Sequence, residues 1–210
     1  MADAGLTLSG TYGAVGAMRD KLLAGDPCDV VILTQALIDQ LQRDGHVVAG
    51  TATPLGLVKT GLAVKAGERT AEVSTAAGLK SALLAANGIY FPDPVKATAG
   101  IHFMQVMKTL GVDIQQSARL RSYPNGATAM REMAQSAQSG LIGCTQVTEI
   151  LFTEGVQLVG LLPAEFELAT VYTAAVCARS QRVEAARKLI GMLASADAAG
   201  LRAQCGFERA

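Results

Sequence analysis

The 210-residue sequence predicts an α/β protein, and three observations carry that expectation. Short runs rich in β-branched residues alternate with stretches whose apolar residues recur at helical spacing. Most of the turns between them carry Gly, Pro or Asp. Half of the residues are hydrophobic, yet only 4% are aromatic and Trp is absent, so the core must be layered from small aliphatic side chains, as α/β folds are. A chain of this length buries one substantial core or two small ones joined by short crossings.

Each element follows from its own residues. Residues 6–8 read as a strand that breaks at Ser9-Gly10-Thr11-Tyr12-Gly13, and a helix follows with Val15, Met18, Leu22 and Leu23 on one face and Gly25 as its stop. Residues 28–33 read as a buried strand, and residues 35–43 as a short helix presenting Leu37, Ile38 and Leu41 before Gly45. Residues 57–64 form the next strand; Ser74 then caps a helix through Leu79, Leu83 and Leu84 that stops at Asn87-Gly88. A strand over 88–91 ends at Pro92-Asp93-Pro94. From Thr98 a helix places Ile101, Met104, Met107 and Leu110 at helical spacing and closes at Gly111. Strands over 118–123, 141–144, 156–161 and 170–178 alternate with helices over 127–137 and 145–152, and two helices, 183–193 and 198–205, finish the chain.

Charge and cysteine content exclude several function classes. Lys plus Arg balances Asp plus Glu at 18 each, so no net field attracts a polyanion, and no basic cluster interleaved with aromatics offers a nucleic-acid groove. Nucleic acid is not an expected partner. Cys28, Cys144, Cys177 and Cys205 lie far apart, and with only His46 and His102 available no zinc spacing exists. No metal or cofactor is expected. The cysteines read as buried reduced thiols packing as small hydrophobes, with a Cys144 nucleophile as the competing reading. No apolar run reaches the roughly 18 residues of a membrane span, and residues 1–5 have neither a basic start nor an apolar stretch. No membrane insertion is expected. As written the chain reads as cytoplasmic, and as periplasmic if a leader has been trimmed.

In an open α/β sheet, ligands bind beyond the carboxyl ends of strands, where the next helices present free N–H groups and positive dipole ends. Three such junctions here are small and uncharged: Ser9 to Gly13, Thr98 to Ile101, and Gly143 to Gln146. Hydroxyls, glycine backbone and an amide without a carboxylate suit an oxyanion, whereas a cation site would be acidic. The bland alternative is that every strand-to-helix turn favours Gly, Ser and Thr for its geometry. Gly10, Gly13 and Gly16 miss the dinucleotide spacing, and neither a phosphate loop nor a nucleophile elbow is present. His102, in the first turn of its helix, is a candidate anion contact or proton carrier, against the alternative of a plain helix-surface histidine. Arg119 and Arg121, alternating along a strand, could supply charge for a carboxylate or simply face solvent.

Several segments resemble a known family. Ala24-Gly25-Asp26-Pro27-Cys28-Asp29-Val30-Val31-Ile32-Leu33 is similar to the A-G-x-P-A-D-[VL]-x-I segment of molybdate-binding proteins. Asp93-Pro94 followed by Thr98-Ala99-Gly100-Ile101-His102 resembles their D-P-x(4)-A-G-I-[YH] loop. The run from Gly155 to Gly160, Leu162-Pro163, and Tyr172-Thr173-Ala174-Ala175-Val176 resembles their strand, loop and returning crossing strand.

The resemblance implies the two-lobed type 2 periplasmic-binding fold of ABC importer solute-binding proteins. Two crossing strands, near 57–64 and 170–178, would divide the chain into 1–62 plus 173–210 and 63–172. Relative to the family pattern, the amino-terminal lobe lacks its first strand and helix. That implies an uncovered apolar sheet edge, and hence self-association. Importer membrane subunits are implied partners. A small anionic solute, oxyanion or small carboxylate, would contact Thr11, Tyr12 and Gly13, the Thr98, Ala99 and Gly100 turn, Gly143, Cys144, Thr145 and Gln146, and Tyr172. The segment from Gln146 to Leu151 resembles a branch that includes an aconitate isomerase. Isomerisation of a small polycarboxylate would need a general base, for which His102, Glu149 and Tyr172 are the candidates. A ligand-sensing domain on the same fold is a third reading, although no helix-turn-helix precedes it.

Overall fold

In the computed structural model of the chain, residues 7–209 are described. The elements in chain order are α1 (Val15–Ala24), β1 (Val30–Thr34), α2 (Gln35–Arg43), β2 (Thr53–Lys65), α3 (Ala76–Ala85), β3 (Gly88–Pro92), α4 (Thr98–Leu110), β4 (Leu120–Tyr123), α5 (Gly126–Gln135), β5 (Leu141–Gln146), α6 (Val147–Phe152), β6 (Val156–Leu161), β7 (Ala169–Val176), α7 (Val183–Ala194) and α8 (Ala199–Gln204). Single 3-10 turns cover Ser117–Arg119 and Ala164–Phe166.

The mixed sheet runs β1-β7-β2-β5-β3-β4, with β6 also on β2. Only the β3–β4 and β3–β5 ladders are parallel, as strand-helix-strand units require. β2 joins the two parts. Residues 53–59 pair antiparallel with β7, whereas residues 60–65 pair with β5 and β6. Thirteen residues extend roughly 43 Å, enough for one strand to serve two differently oriented groups of strands.

The apolar clusters divide in the same way. Val31, Leu33, Ile38, Leu41 and Cys177 pack on one face of β1 and β7, and Leu55, Ala174, Val176, Ala186 and Ile190 pack on the other. Beyond residue 60, α3 and α4 cover one face through Leu79, Leu83, Phe103 and Met107, and α5 covers the other through Met130 and Met133.

Several expectations are corrected. Thr7 and Leu8 form no strand, and Leu6, the third residue of that expected element, lies outside the described residues. β2 begins four residues early, at Thr53, because it tolerates Pro54 and Gly56 at a bulge where the register shifts. Gly56 has φ 150°, and a Cβ there would lie 2.7 Å from the Glu208 carbonyl oxygen, so glycine lets the carboxyl-terminal segment pair with Leu57. The cap of α3 is Thr75, which accepts from the Gly78 amide; Ser74 instead bonds to Glu72. α4 buries Phe103, Val106, Met107 and Leu110, while Ile101 is 49% exposed. Its core face is rotated from the expected stripe because Gly100 packs without a side chain against the Pro92 and Asp93 carbonyls.

Candidate functional site

A cleft of about 1500 Å³ opens where α1, the ends of β3 and β5, and β7 converge. The residues from Thr7 to Val15 form one wall, and Pro92, Thr98, Ala99, Asn125, Gly126, Gln146, Glu149 and Tyr172 form the facing one. Strand order decides this gathering, because β3, β4 and β5 run parallel and deliver α4, α5 and α6 at the same end.

The two longer helices present their amino ends differently. α4 begins after Ala97 with no side-chain cap, so its first amides are left to water or a ligand. Thr98 and Ala99 line the cleft there. At α5, Asn125 caps by accepting from the Thr128 amide at 2.8 Å, and the Glu149 carboxylate accepts from the Ala127 amide at 3.1 Å. The protein's own anion therefore occupies the positive end of α5. The Thr145 hydroxyl also donates to Glu149. A Cβ on Gly126 would collide with both Thr145 Oγ1 and Glu149 Oε2, which explains the glycine.

Electrostatics in this corner follow from burial. Desolvation pushes the Glu149 carboxyl above its usual range, with hydrogen bonds from Thr145 and the Ala127 and Gly126 amides pulling back. Burial, and then the nearby Glu149 charge, push the Tyr172 hydroxyl well above its ordinary value. The Tyr172 ring meets Phe207 edge to face at 6.4 Å. Gln146 is 3% exposed; its Nε2 donates to Thr170 Oγ1 at 3.5 Å, and its Oε1 has no partner among the described residues.

Of the anticipated site residues, Thr11, Tyr12, Gly13, Thr98, Ala99, Gln146, Glu149 and Tyr172 line the cleft. Gly100 lies beneath α4's first turn, against backbone. Gly143 and Cys144 point into the cores on either side of β5, because that strand continues to Gln146 and buries both its faces. Thr145 is fully buried and reaches the cleft only through Glu149. Burial pushes the Cys144 thiol well above its ordinary value, which opposes the nucleophile reading. His102 turns away: its Nε2 lies 2.8 Å from the Phe166 carbonyl oxygen. Arg119 donates to the Ala86 carbonyl, and Arg121 donates to those of Ala118 and Leu120, so neither offers charge to the cleft. Sequence reading overlooked Asn125-Gly126, a fourth small and uncharged strand-to-helix junction. It also overlooked Phe207, which sits far from every motif.

A profile of bacterial extracellular solute-binding proteins matches residues 1–208. The chain belongs to that family. Among relatives of this solute-binding protein, an aconitate isomerase from a Pseudomonas species is 29% identical over 187 residues, covering 87% of this chain and 68% of the isomerase. The periplasmic molybdate-binding protein of Azotobacter vinelandii superposes with a TM-score of 0.80 at 17% identity, over 100% of this chain and 90% of that one. The sulfate-binding protein of Mycobacterium tuberculosis gives a TM-score of 0.69 at 20% identity, over 95% and 75% of the two chains. At these identities the structural likeness establishes the fold alone, that of the two-lobed periplasmic-binding proteins. Among the described residues no helix is long and apolar enough to cross a membrane, and no group of His, Cys, Asp and Glu is placed to hold a metal ion.

Proposed function

We propose that the cleft binds a small organic polyanion, a di- or tricarboxylate, between lobes divided as 1–62 plus 173–210 and 63–172. The observation that carries this reading is the uncapped amino end of α4 on the same wall of the cleft as Gln146, at the ends of the neighbouring parallel strands β3 and β5. The helix end suits a carboxylate. The unpartnered Gln146 Oε1 accepts a hydrogen bond, which a hydroxyl or protonated carboxyl supplies and a fully deprotonated tetrahedral oxyanion does not. A thermal-shift series with citrate, cis- and trans-aconitate, molybdate and sulfate tests it, since a ligand at 100 times its Kd stabilises by about 2.7 kcal/mol. Stabilisation by molybdate or sulfate alone would overturn it.

A second reading, isomerisation of a small polycarboxylate, is favoured by one observation. Glu149 is a carboxyl with raised proton affinity beside the Tyr172 hydroxyl in the same cleft. Glu149 would take a proton from the carbon next to a carboxylate and return it to the far end of the allylic system, two carbons along, as the double bond shifts, with Tyr172 holding a ligand carboxylate. Interconversion of cis- and trans-aconitate, followed by ultraviolet absorbance and lost in Glu149→Gln, tests it.

Under the solute-binding reading the chain works outside the cytoplasm and delivers its solute to importer membrane subunits. Self-association belongs to it too: β1 has a ladder partner only in β7 among the described strands, and its Ile32 is 42% exposed.

A further inference from the structure

Cys28 and Cys177 are far apart in sequence and adjacent in the fold. The Cys177 amide donates to the Asp29 carbonyl at 3.0 Å, continuing the β1–β7 ladder one pair past Val30 and Val176. That places Cys28 one residue from the point opposite Cys177. Cys28 packs against the apolar cluster that contains Cys177. The two differ in access: Cys28 is half-buried and lines the cleft, whereas Cys177 is 1% exposed.

We propose that Cys28 and Cys177 form a reversible disulfide that ties the turn between α1 and β1 to β7, made by exchange with a low-molecular-weight or protein disulfide. Cys28 thiolate attacks one sulfur of the donor disulfide, releasing one donor thiol and leaving a mixed disulfide on Cys28. Cys177 then gives up its proton and attacks the Cys28 sulfur, releasing the second donor thiol. The two protein thiols lose two electrons, the donor disulfide gains them, and the two protons end on the donor thiols. The proton affinities fit this order. The hydrogen bond from the Cys177 thiol lowers Cys28 below the ordinary thiol value, and the same bond followed by burial raises Cys177. The accessible sulfur is the better attacking thiolate and the buried one the resolving thiol.

The bond would act on α1. No α1 residue is fully buried, although Val15, Met18 and Leu22 touch a core cluster. Its amino end leans on the opposite wall, where the Gly16 amide donates to the Lys96 carbonyl at 3.1 Å and Asp20 pairs with Lys96 at 3.3 Å. A covalent link just past its carboxyl end fixes the helix that walls the cleft, and closes about 150 residues of chain.

The test uses the full chain carrying Cys205→Ser, which removes the exposed thiol; Cys144 is fully buried. Incubation with oxidised glutathione should lower the intact mass by two hydrogens and yield a Cys28–Cys177 cross-linked peptide. It should also raise Tm by about 5 °C or more, reversibly with dithiothreitol. In the same background, Cys177→Ser should retain glutathione on Cys28, and Cys28→Ser should leave Cys177 unmodified. Unchanged thiol titration of the denatured, oxidant-treated protein, or glutathione left on Cys28 while Cys177 is intact, would overturn the proposal. So would glutathione found on Cys177 in Cys28→Ser. These readouts need no ligand, so their outcome is independent of what the cleft binds.

Discussion

Burial and hydrogen bonding pull the Glu149 carboxyl in opposite directions, and burial wins. A carboxyl whose folded pKa exceeds its unfolded value holds its proton more tightly in the native state. Its cost to stability is therefore absent below the ordinary value of 4.5 and grows as pH rises through the raised folded value. Glu149→Gln should flatten that part of the Tm-against-pH curve while leaving the acid limb below pH 4.5 in place; parallel curves for the two proteins would remove Glu149 as the cause. Tyr172 carries a different expectation. Its hydroxyl sits in the cleft under heavy desolvation, so Tyr172→Phe should weaken aconitate or citrate binding by about 1–3 kcal/mol, read by titration calorimetry, because a ligand oxygen loses its donor.

Among the elements, α5 depends most on close approach. Gly126 leaves room for Thr145 and Glu149 against the first turn, so Gly126→Ala must push the carboxylate off the helix end. An overpacked site costs about 1–3 kcal/mol, which urea unfolding should show as a lower midpoint with an unchanged slope. α4 is anchored at its side rather than its end: His102 bonds to the Phe166 carbonyl in the turn that follows β6. His102→Ala should cost about 1 kcal/mol of stability and leave ligand affinity unchanged. A tenfold loss of affinity would return His102 to the site.

At the scale of the molecule, β2 is the shared spine: its ladder passes from β7 to β5 and β6 between Lys59 and Thr60. Few backbone elements need to bend for the two halves to close on a ligand, so closure by hinge motion at β2 and β7 is the expected response. Small-angle scattering should show a smaller radius of gyration with saturating citrate or aconitate than without. The open edge of β1 carries the last expectation. Light scattering across micromolar concentrations should detect a dimer, and Ile32→Lys, which places a charge on that edge, should return it to monomer.

Local chemistry determined much of this protein. Gly25 and Gly111 stop α1 and α4 in the left-handed conformation where the sequence reading ended those helices. The β3 run and the apolar run over 156–161 also declared themselves, because a helix stop, a strand period and a proline turn are properties of a few neighbouring residues. Tertiary structure decided what no window of sequence contains. Whether Gly143 and Cys144 face the cleft depends on where β5 ends, and pairing with β2 carries it on to Gln146. The rotation of α4 depends on Gly100 resting on the Pro92 carbonyl. Glu149 meets the amino end of α5, and Cys28 meets Cys177, across about 20 and 150 residues of chain. Such meetings are set by which strands pair and by which backbone groups compete for one helix end, both of which are properties of the assembled sheet.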